Sequence, residues 1–248
     1  MVSLLGLALL SCVTFSVQIA CPKFQTRTEL QGDMAARDHG PVSSYVLDEQ
    51  DQEPPLSLFE LERLFWSGAA KFRHCDEVYP GVFVGDEHSA RDRRALLEAG
   101  ITHVLNAAHP PDMDNPISSP QDRYVRTGPG YYQGMDMEYH GIPADDVPTF
   151  DLSLYFEPAA DFIDCALKAG GRVLVHCVMG RSRSATLVLA FLLLRRSLPL
   201  ERAVRETLCR RNLQPNRAFL AQLRTLNTAL QHQRLGVTSP ETRTSLSQ

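Results

Sequence analysis

The apolar run Val173-Leu174-Val175 leads into His176-Cys177-Val178-Met179-Gly180-Arg181-Ser182-Arg183-Ser184, and the longer apolar stretch Ala185 to Leu192 follows at once. A short apolar run ended by a turn reads as a buried strand, and the longer run behind it reads as a helix. The segment between them is a tight loop, with a cysteine at its entrance and an arginine six residues later. Backbone N–H groups of such a loop, with those of the helix N-terminus, form a concave anion site. That site suits a phosphate dianion and favours the thiolate form of Cys177, which marks this cysteine as a nucleophile. The order strand, loop, helix also constrains the fold to the α/β class.

The chemistry follows from the residue types. A free thiol titrates near 8.5, and a helix N-terminus with a nearby cation lowers this to roughly 3.5–7.5. Cys177 then attacks phosphorus directly. Phosphoryl transfer asks mainly for positioning and charge stabilisation, and Arg183 offers a planar fork that holds two phosphate oxygens, which lysine does not. Residues 178–183 (Val178, Met179, Gly180, Arg181, Ser182 and Arg183) form the phosphate-binding loop. Within it, Arg181 reads as a solvated residue or as added positive potential at the mouth. His176 is expected to orient the loop and support the thiolate rather than act as a base. The Ser184 hydroxyl is placed to stabilise the sulfur when a phosphocysteine is hydrolysed.

Expelling an alkoxide or phenoxide as a bare anion is costly, so a proton donor is also required. The stretch from Gly141 to Ser153 contains Asp145 and Asp146 in a polar loop, with Asp151 as an N-cap for the helix behind it. This fits a mobile acid loop. On the residues alone, either carboxylate could be the acid or an ordinary turn residue.

The pattern Cys-x-x-Gly-x-x-Arg-Ser followed by Ala-Thr-Leu-Val-Leu-Ala resembles the signature loop of cysteine-based protein tyrosine phosphatases, in their small atypical dual-specificity branch. The resemblance runs from about Phe59 to Leu230, takes in the stretches 76–80, 100–108 and 145–163, and is greatest to the skeletal-muscle members. It implies that Asp146 is the acid, with Asp145 its nearest rival, and that Cys177, Arg183, Asp146, Ser184 and His176 form the catalytic set. It also implies hydrolysis of phosphotyrosine and of phosphoserine or phosphothreonine on proteins, with no metal and no cofactor. The expected partners are phosphorylated proteins, including kinases of signalling cascades. Phosphatases of phosphoinositides, other phospholipids or glycans are the alternative, although Val178 stands where lipid-directed loops often carry lysine. A phosphate-binding adaptor without turnover is the second alternative, set against the presence of both Cys177 and Arg183.

The rest of the chain bounds this reading. Its 248 residues, 44% hydrophobic content and net charge of −4 describe a globular protein and give no sign of nucleic-acid binding. Arginines gather late, at 195, 196, 202, 205, 210, 211, 217 and 224, with a spacing that suits the exposed faces of amphipathic helices. The six cysteines, at 12, 21, 75, 165, 177 and 209, form neither C-x-x-C pairs nor a zinc pattern. A nucleophilic thiol must stay reduced, so a cytoplasmic setting, with the nucleus open, is expected and a membrane is not. Residues 1–20 are nearly free of charge and read like the h-region of a signal peptide or a marginal anchor. They lack a basic n-region and carry Ser3, Ser11, Thr14, Ser16 and Gln18. A divergent N-terminal exon, with Met34 as an internal start, is the preferred reading.

Residues 1–55 are therefore expected to be an apolar and then disordered leader, 56–232 the catalytic domain, and 233–248 a disordered tail. Periodicity predicts helices over 58–66, 89–99, 152–168, 184–196, 200–211 and 216–231, with Phe65 and Trp66 packed on the domain. Strands are expected at 82–84, 101–105, 137–142 and 173–175, with a surface loop over 109–130. The expected architecture is a twisted, mostly parallel central sheet flanked by helices, with the signature loop between a strand and a helix.

Overall fold

The computed structural model describes residues 56–66, 73–114 and 123–236. The expected leader, and the tail from residue 237 onward, lie outside these residues. Five strands, β1 (Cys75–Tyr79), β2 (Val82–Gly85), β3 (His103–Asn106), β4 (Glu138–Gly141) and β5 (Val173–His176), form one sheet in the order β1-β2-β5-β3-β4. Only β1 runs antiparallel to its neighbour, so the sheet is mixed and mostly parallel. Central β5 pairs with β2 and β3 along its whole length, and every one of its residues is buried.

Successive side chains of a strand point to opposite faces. Accordingly Val82, Val84, Leu105, Val173 and Val175 enter one apolar cluster, while Phe83, Val104 and Leu174 enter another on the opposite face. Burial on both faces explains why the 173–175 run lacks polar alternation. The larger cluster lies under α1 (Leu58–Trp66), α4 (Phe156–Lys168), α5 (Arg183–Arg195), α6 (Leu200–Leu208) and α7 (Arg217–Arg234). The smaller one is closed by Ala90 of α2 (Glu87–Arg91), Leu96 of α3 (Arg93–Glu98), Tyr132 and Met135. Helix α5 is buried from Arg183 to Leu193 and packs against α4, α6 and α7. An all-round apolar helix in the middle of the domain fixes the place of whatever stands at its N-terminus.

Several elements differ from the sequence expectation. The helix expected over 89–99 is two short helices, because the Asp92 backbone N–H closes α2 while its side chain accepts from Ala95 N–H and caps α3. Strand β1 was not expected, since Asp76 and Glu77 interrupt its apolar pattern. The helix from 152 opens with a 3-10 turn, Leu152–Tyr155, and α6 ends at Leu208 in a turn whose Arg210 and Arg211 N–H groups both reach the Thr207 carbonyl. Helix α7 runs on to Arg234, past the expected domain limit at 232. Trp66 does not pack on the domain: it is 68% exposed and meets Phe59 edge-on, while Phe65 is buried. The segment expected as a surface loop turns inward at Tyr124, Val125 and Thr127, because buried Asn106 donates to the Val125 carbonyl and accepts from Ala108 N–H.

The largest departure is Arg211, expected on a helix surface and found wholly buried. Its Nε donates to the Gly180 carbonyl at 3.0 Å, and its Nη1 donates to the Arg73 carbonyl at 2.7 Å and to Asp76 Oδ2 at 2.6 Å. Gly180 has φ +63°, and a Cβ there would lie 2.5 Å from the Gly85 carbonyl oxygen and 2.7 Å from Arg211 Nη2. The loop thus passes so close to β2 and Arg211 that no other residue fits at 180. Arg211→Met keeps the bulk and removes the guanidinium, leaving Asp76 without its buried partner. Equilibrium urea unfolding is expected to show a loss of roughly 3–5 kcal/mol; an unchanged midpoint would show that the clamp does not hold the fold.

Candidate active site

Four carbonyls of the loop after β5 are taken by donors outside it. Glu87 N–H, at the start of α2, bonds the Val178 carbonyl at 3.0 Å, Arg211 bonds that of Gly180, and Gln214 N–H bonds that of Arg181 at 2.9 Å. The Ser182 carbonyl accepts from the Thr186 N–H and hydroxyl. Turning these carbonyls outward leaves the N–H groups to converge on Cys177. Gly180 N–H donates to its Sγ at 3.2 Å, the Ser184 hydroxyl lies 3.3 Å away, and the Arg181 and Ser184 N–H groups add to the set. Ser182 makes no side-chain capping bond to α5, so the first N–H groups of that helix remain available to an anion.

Burial opposes ionisation of the Cys177 thiol, but the Arg183 charge and the hydrogen bonds from Ser184 and Arg181 outweigh it and hold its pKa below the ordinary value. Arg183 is itself 5% exposed. Its Nη1 donates to the carbonyls of Arg123 at 2.8 Å and Ala144 at 3.0 Å. Its Nε makes no hydrogen bond and stands 3.7 Å from Asp146 Oδ2. One edge of the guanidinium is thus anchored, and a buried N–H is left over for an oxyanion. His176 is fully buried, and burial drives its pKa down to about 3 against weaker opposing pulls from the Cys177 backbone and Asp86. The ring is therefore neutral near pH 7, and its contribution to the loop is shape rather than charge. The His176 carbonyl accepts from Ala107 N–H at 2.8 Å, which ties the end of β5 to the turn after β3.

The two candidate acids face different partners. Asp146 Oδ1 accepts from the Ser182 hydroxyl and from Asn216 Nδ2, each at 2.8 Å. Asp145 Oδ1 accepts from the Tyr124 hydroxyl at 2.5 Å. Burial, the bond to Asp145 and that carboxylate's charge push Tyr124 up to about 12, so it stays a donor. Asp151 accepts from Ser153 N–H and so caps the turn before α4. Asp145, Asp146, Arg123, Met179, Arg181 and Arg183 line one open pocket of about 410 Å³. Met179 forms an apolar lip, and Arg181 is tied to Gln214 Oε1 at 2.5 Å, so it is more than a solvated loop residue.

The structure therefore gathers Cys177, Arg183, Asp146, Ser184 and His176, with the 178–183 loop, in one place. It adds groups that sequence reasoning missed. Arg211 was hidden by an apparent helical surface pattern. Asn216 was legible only as a helix start after Pro215, and Tyr124 only as part of a polar loop. Asp86, which caps α2 through Ser89 N–H and pairs with His74 at 2.6 Å, carried no signal of its own. Among the described residues, no group of three or more His, Cys, Asp or Glu stands where it could hold a metal ion, and Cys75, Cys165, Cys177 and Cys209 are free thiols.

The chain that carries this site is similar to known proteins. The family model described as "Dual specificity phosphatase, catalytic domain" matches residues 82–229, more than half of the chain. Human DUSP28 is similar at 28% identity over 65% of this chain and 98% of its own, with a TM-score of 0.54. A mouse putative dual specificity phosphatase, solved with zinc tungstate, shows 29% identity over 68% of this chain and 95% of its own, with a TM-score of 0.53. The human tyrosine phosphatase-like serine/threonine/tyrosine-interacting protein shows 26% over 63% and 98%, with a TM-score of 0.52. By this match and by its architecture, the chain belongs to the dual-specificity phosphatase family as an atypical, cysteine-based protein phosphatase.

Proposed function

We propose that this phosphatase hydrolyses phosphotyrosine and phosphoserine or phosphothreonine on proteins through a phosphocysteine formed at Cys177. The observation that carries the proposal is the buried Arg183 Nε, which makes no hydrogen bond, on a guanidinium whose charge helps hold the Cys177 pKa low. The loop N–H groups and Arg183 bind the phosphate dianion, and the Cys177 thiolate attacks phosphorus. Asp146 protonates the departing oxygen and, in the second half-reaction, takes a proton from the attacking water. The Ser184 hydroxyl stabilises the sulfur as it leaves. An open mouth with an apolar lip at Met179 is compatible with both aromatic and short aliphatic phosphoesters.

The placement beside the skeletal-muscle members is part of this proposal and rests on sequence resemblance. So does a cytoplasmic, and also nuclear, setting, which suits a reduced thiolate and substrates made by intracellular kinases. No described helix is long and apolar enough to cross a membrane.

Phosphate release should be measured from phosphotyrosyl and phosphothreonyl peptides and from phosphoinositide vesicles. Turnover of both peptides is expected, and Cys177→Ser should abolish it while retaining peptide binding, because the N–H groups and Arg183 survive. Turnover of the vesicles alone would replace the protein reading with the lipid one.

Asp146→Asn is expected to slow hydrolysis of phenyl phosphate, a poor leaving group, by roughly 10²–10⁴. Esters of acidic phenols should suffer much less in the step that forms the phosphoenzyme. If Asp145→Asn shows this selectivity and Asp146→Asn does not, the acid is Asp145.

Ser184→Ala removes one of the contacts that lower the Cys177 pKa, so that pKa should rise. The rate of Cys177 alkylation by iodoacetamide follows the thiolate, and its midpoint should move to higher pH together with the acidic limb of kcat/KM. An unmoved midpoint would assign the low pKa to Arg183 and the backbone alone.

A further inference from the structure

Two donors converge on one oxygen of Asp146. The Ser182 hydroxyl and Asn216 Nδ2 both reach Oδ1 at 2.8 Å, and Asn216 N–H returns a bond to Ser182 Oγ at 3.1 Å. The other end of the Asn216 amide, Oδ1, accepts from Phe219 N–H at 2.9 Å as the N-cap of α7. A single side chain therefore closes a helix with its acceptor and holds a carboxylate of the acid loop with its donor.

We propose that Asn216 is a positioning residue for Asp146, acting with Ser182 to decide which oxygen of the acid carries the proton. This rests on the assignment of Asp146 as the general acid. An oxygen that accepts two hydrogen bonds has no room to hold a proton and donate it. The proton of Asp146 is therefore confined to Oδ2, the oxygen 3.7 Å from Arg183 Nε and the one turned toward the guanidinium that binds phosphate. As the Sγ–P bond forms and the P–O ester bond breaks, that proton passes to the ester oxygen, which leaves as a neutral alcohol or phenol. Asp146 remains as a carboxylate, still held through Oδ1 and correctly turned to accept a proton from water in the second half-reaction. Helix α7 serves as the foundation because its apolar residues Phe219, Leu220 and Leu223 are fixed in the core. The cap anchors Asn216 to that rigid element, which a residue on the acid loop alone does not provide.

The two roles of Asn216 separate by substitution. Asn216→Asp keeps a good N-cap, since aspartate also accepts from Phe219 N–H, but it cannot donate to Asp146 and sets a like charge against it. The thermal midpoint should stay close to that of the wild type. Hydrolysis of phenyl phosphate should fall about 10–100-fold, with a much smaller loss for an ester of an acidic phenol. Asn216→Ser, a cap too short to reach Asp146 and without the added charge, should show the same selectivity and serves as the second variant should the first fold poorly. In an Asp146→Asn background either substitution should cost nothing further, because residues acting through one another are not additive. Equal losses on both esters, or an additive loss in the double variant, would show that Asn216 is structural and overturn the proposal. Absence of leaving-group selectivity in Asp146→Asn itself would instead remove the acid assignment beneath it, a failure read from a different enzyme variant.

Discussion

As the signature loop turns N–H groups toward Cys177, it turns carbonyls away that must find donors elsewhere. Buried backbone acceptors cannot be left unpaired without cost. The donors are drawn from two distant parts of the chain: the first N–H of α2, and the Arg211 guanidinium with the Gln214 N–H in the turn before α7. The close approach of Gly180 to Gly85 and Arg211 follows from this arrangement, as does the absence of room for a Cβ there. The anion cradle is thus made by its surroundings, and the nine residues of the motif alone do not make it.

The same surroundings set the charges. Cys177 and Arg183 are both nearly inaccessible, where an isolated ion is heavily penalised. Each offsets the other's burial: the guanidinium favours the thiolate, and two carbonyls and a nearby carboxylate stabilise the guanidinium. With His176 neutral, the only full positive charge that lowers the thiol pKa among its named causes is Arg183. Phosphate then enters a site where the Arg183 Nε and the first N–H groups of α5 are available to it.

Much of the fold was legible because its central elements are unbroken apolar runs of contrasting length, set on either side of a polar loop. The continuous apolar run of β5 and the apolar length of α5 each admit one reading, and together they place the loop. The edge strand β1 was not legible, since its polar Asp76 and Glu77 make sense only after Arg211 and Arg172 are known to reach them. The break at Asp92 was equally hidden, because one carboxylate capping the second of two short helices looks, in sequence, like one exposed position of a single helix. In the site, Cys177 and Arg183 could be assigned from local spacing. Arg211, Asn216 and Tyr124 could not, because each acts across a long separation in the chain on a partner that no local pattern names. Periodicity records which face a residue occupies within its own element, and Arg211 belongs to a turn.

Synthesis of the chain proceeds from β1 toward α7, and the bond from Arg211 to Asp76 joins residues 135 positions apart. Before residues 211 to 214 are made, the Gly180 and Arg181 carbonyls lack their donors, and of the outside donors only Glu87 and Thr186 are present. The loop's full set of outside donors is therefore complete only once the segment between the last two helices is in place, although the nucleophile lies more than thirty residues earlier.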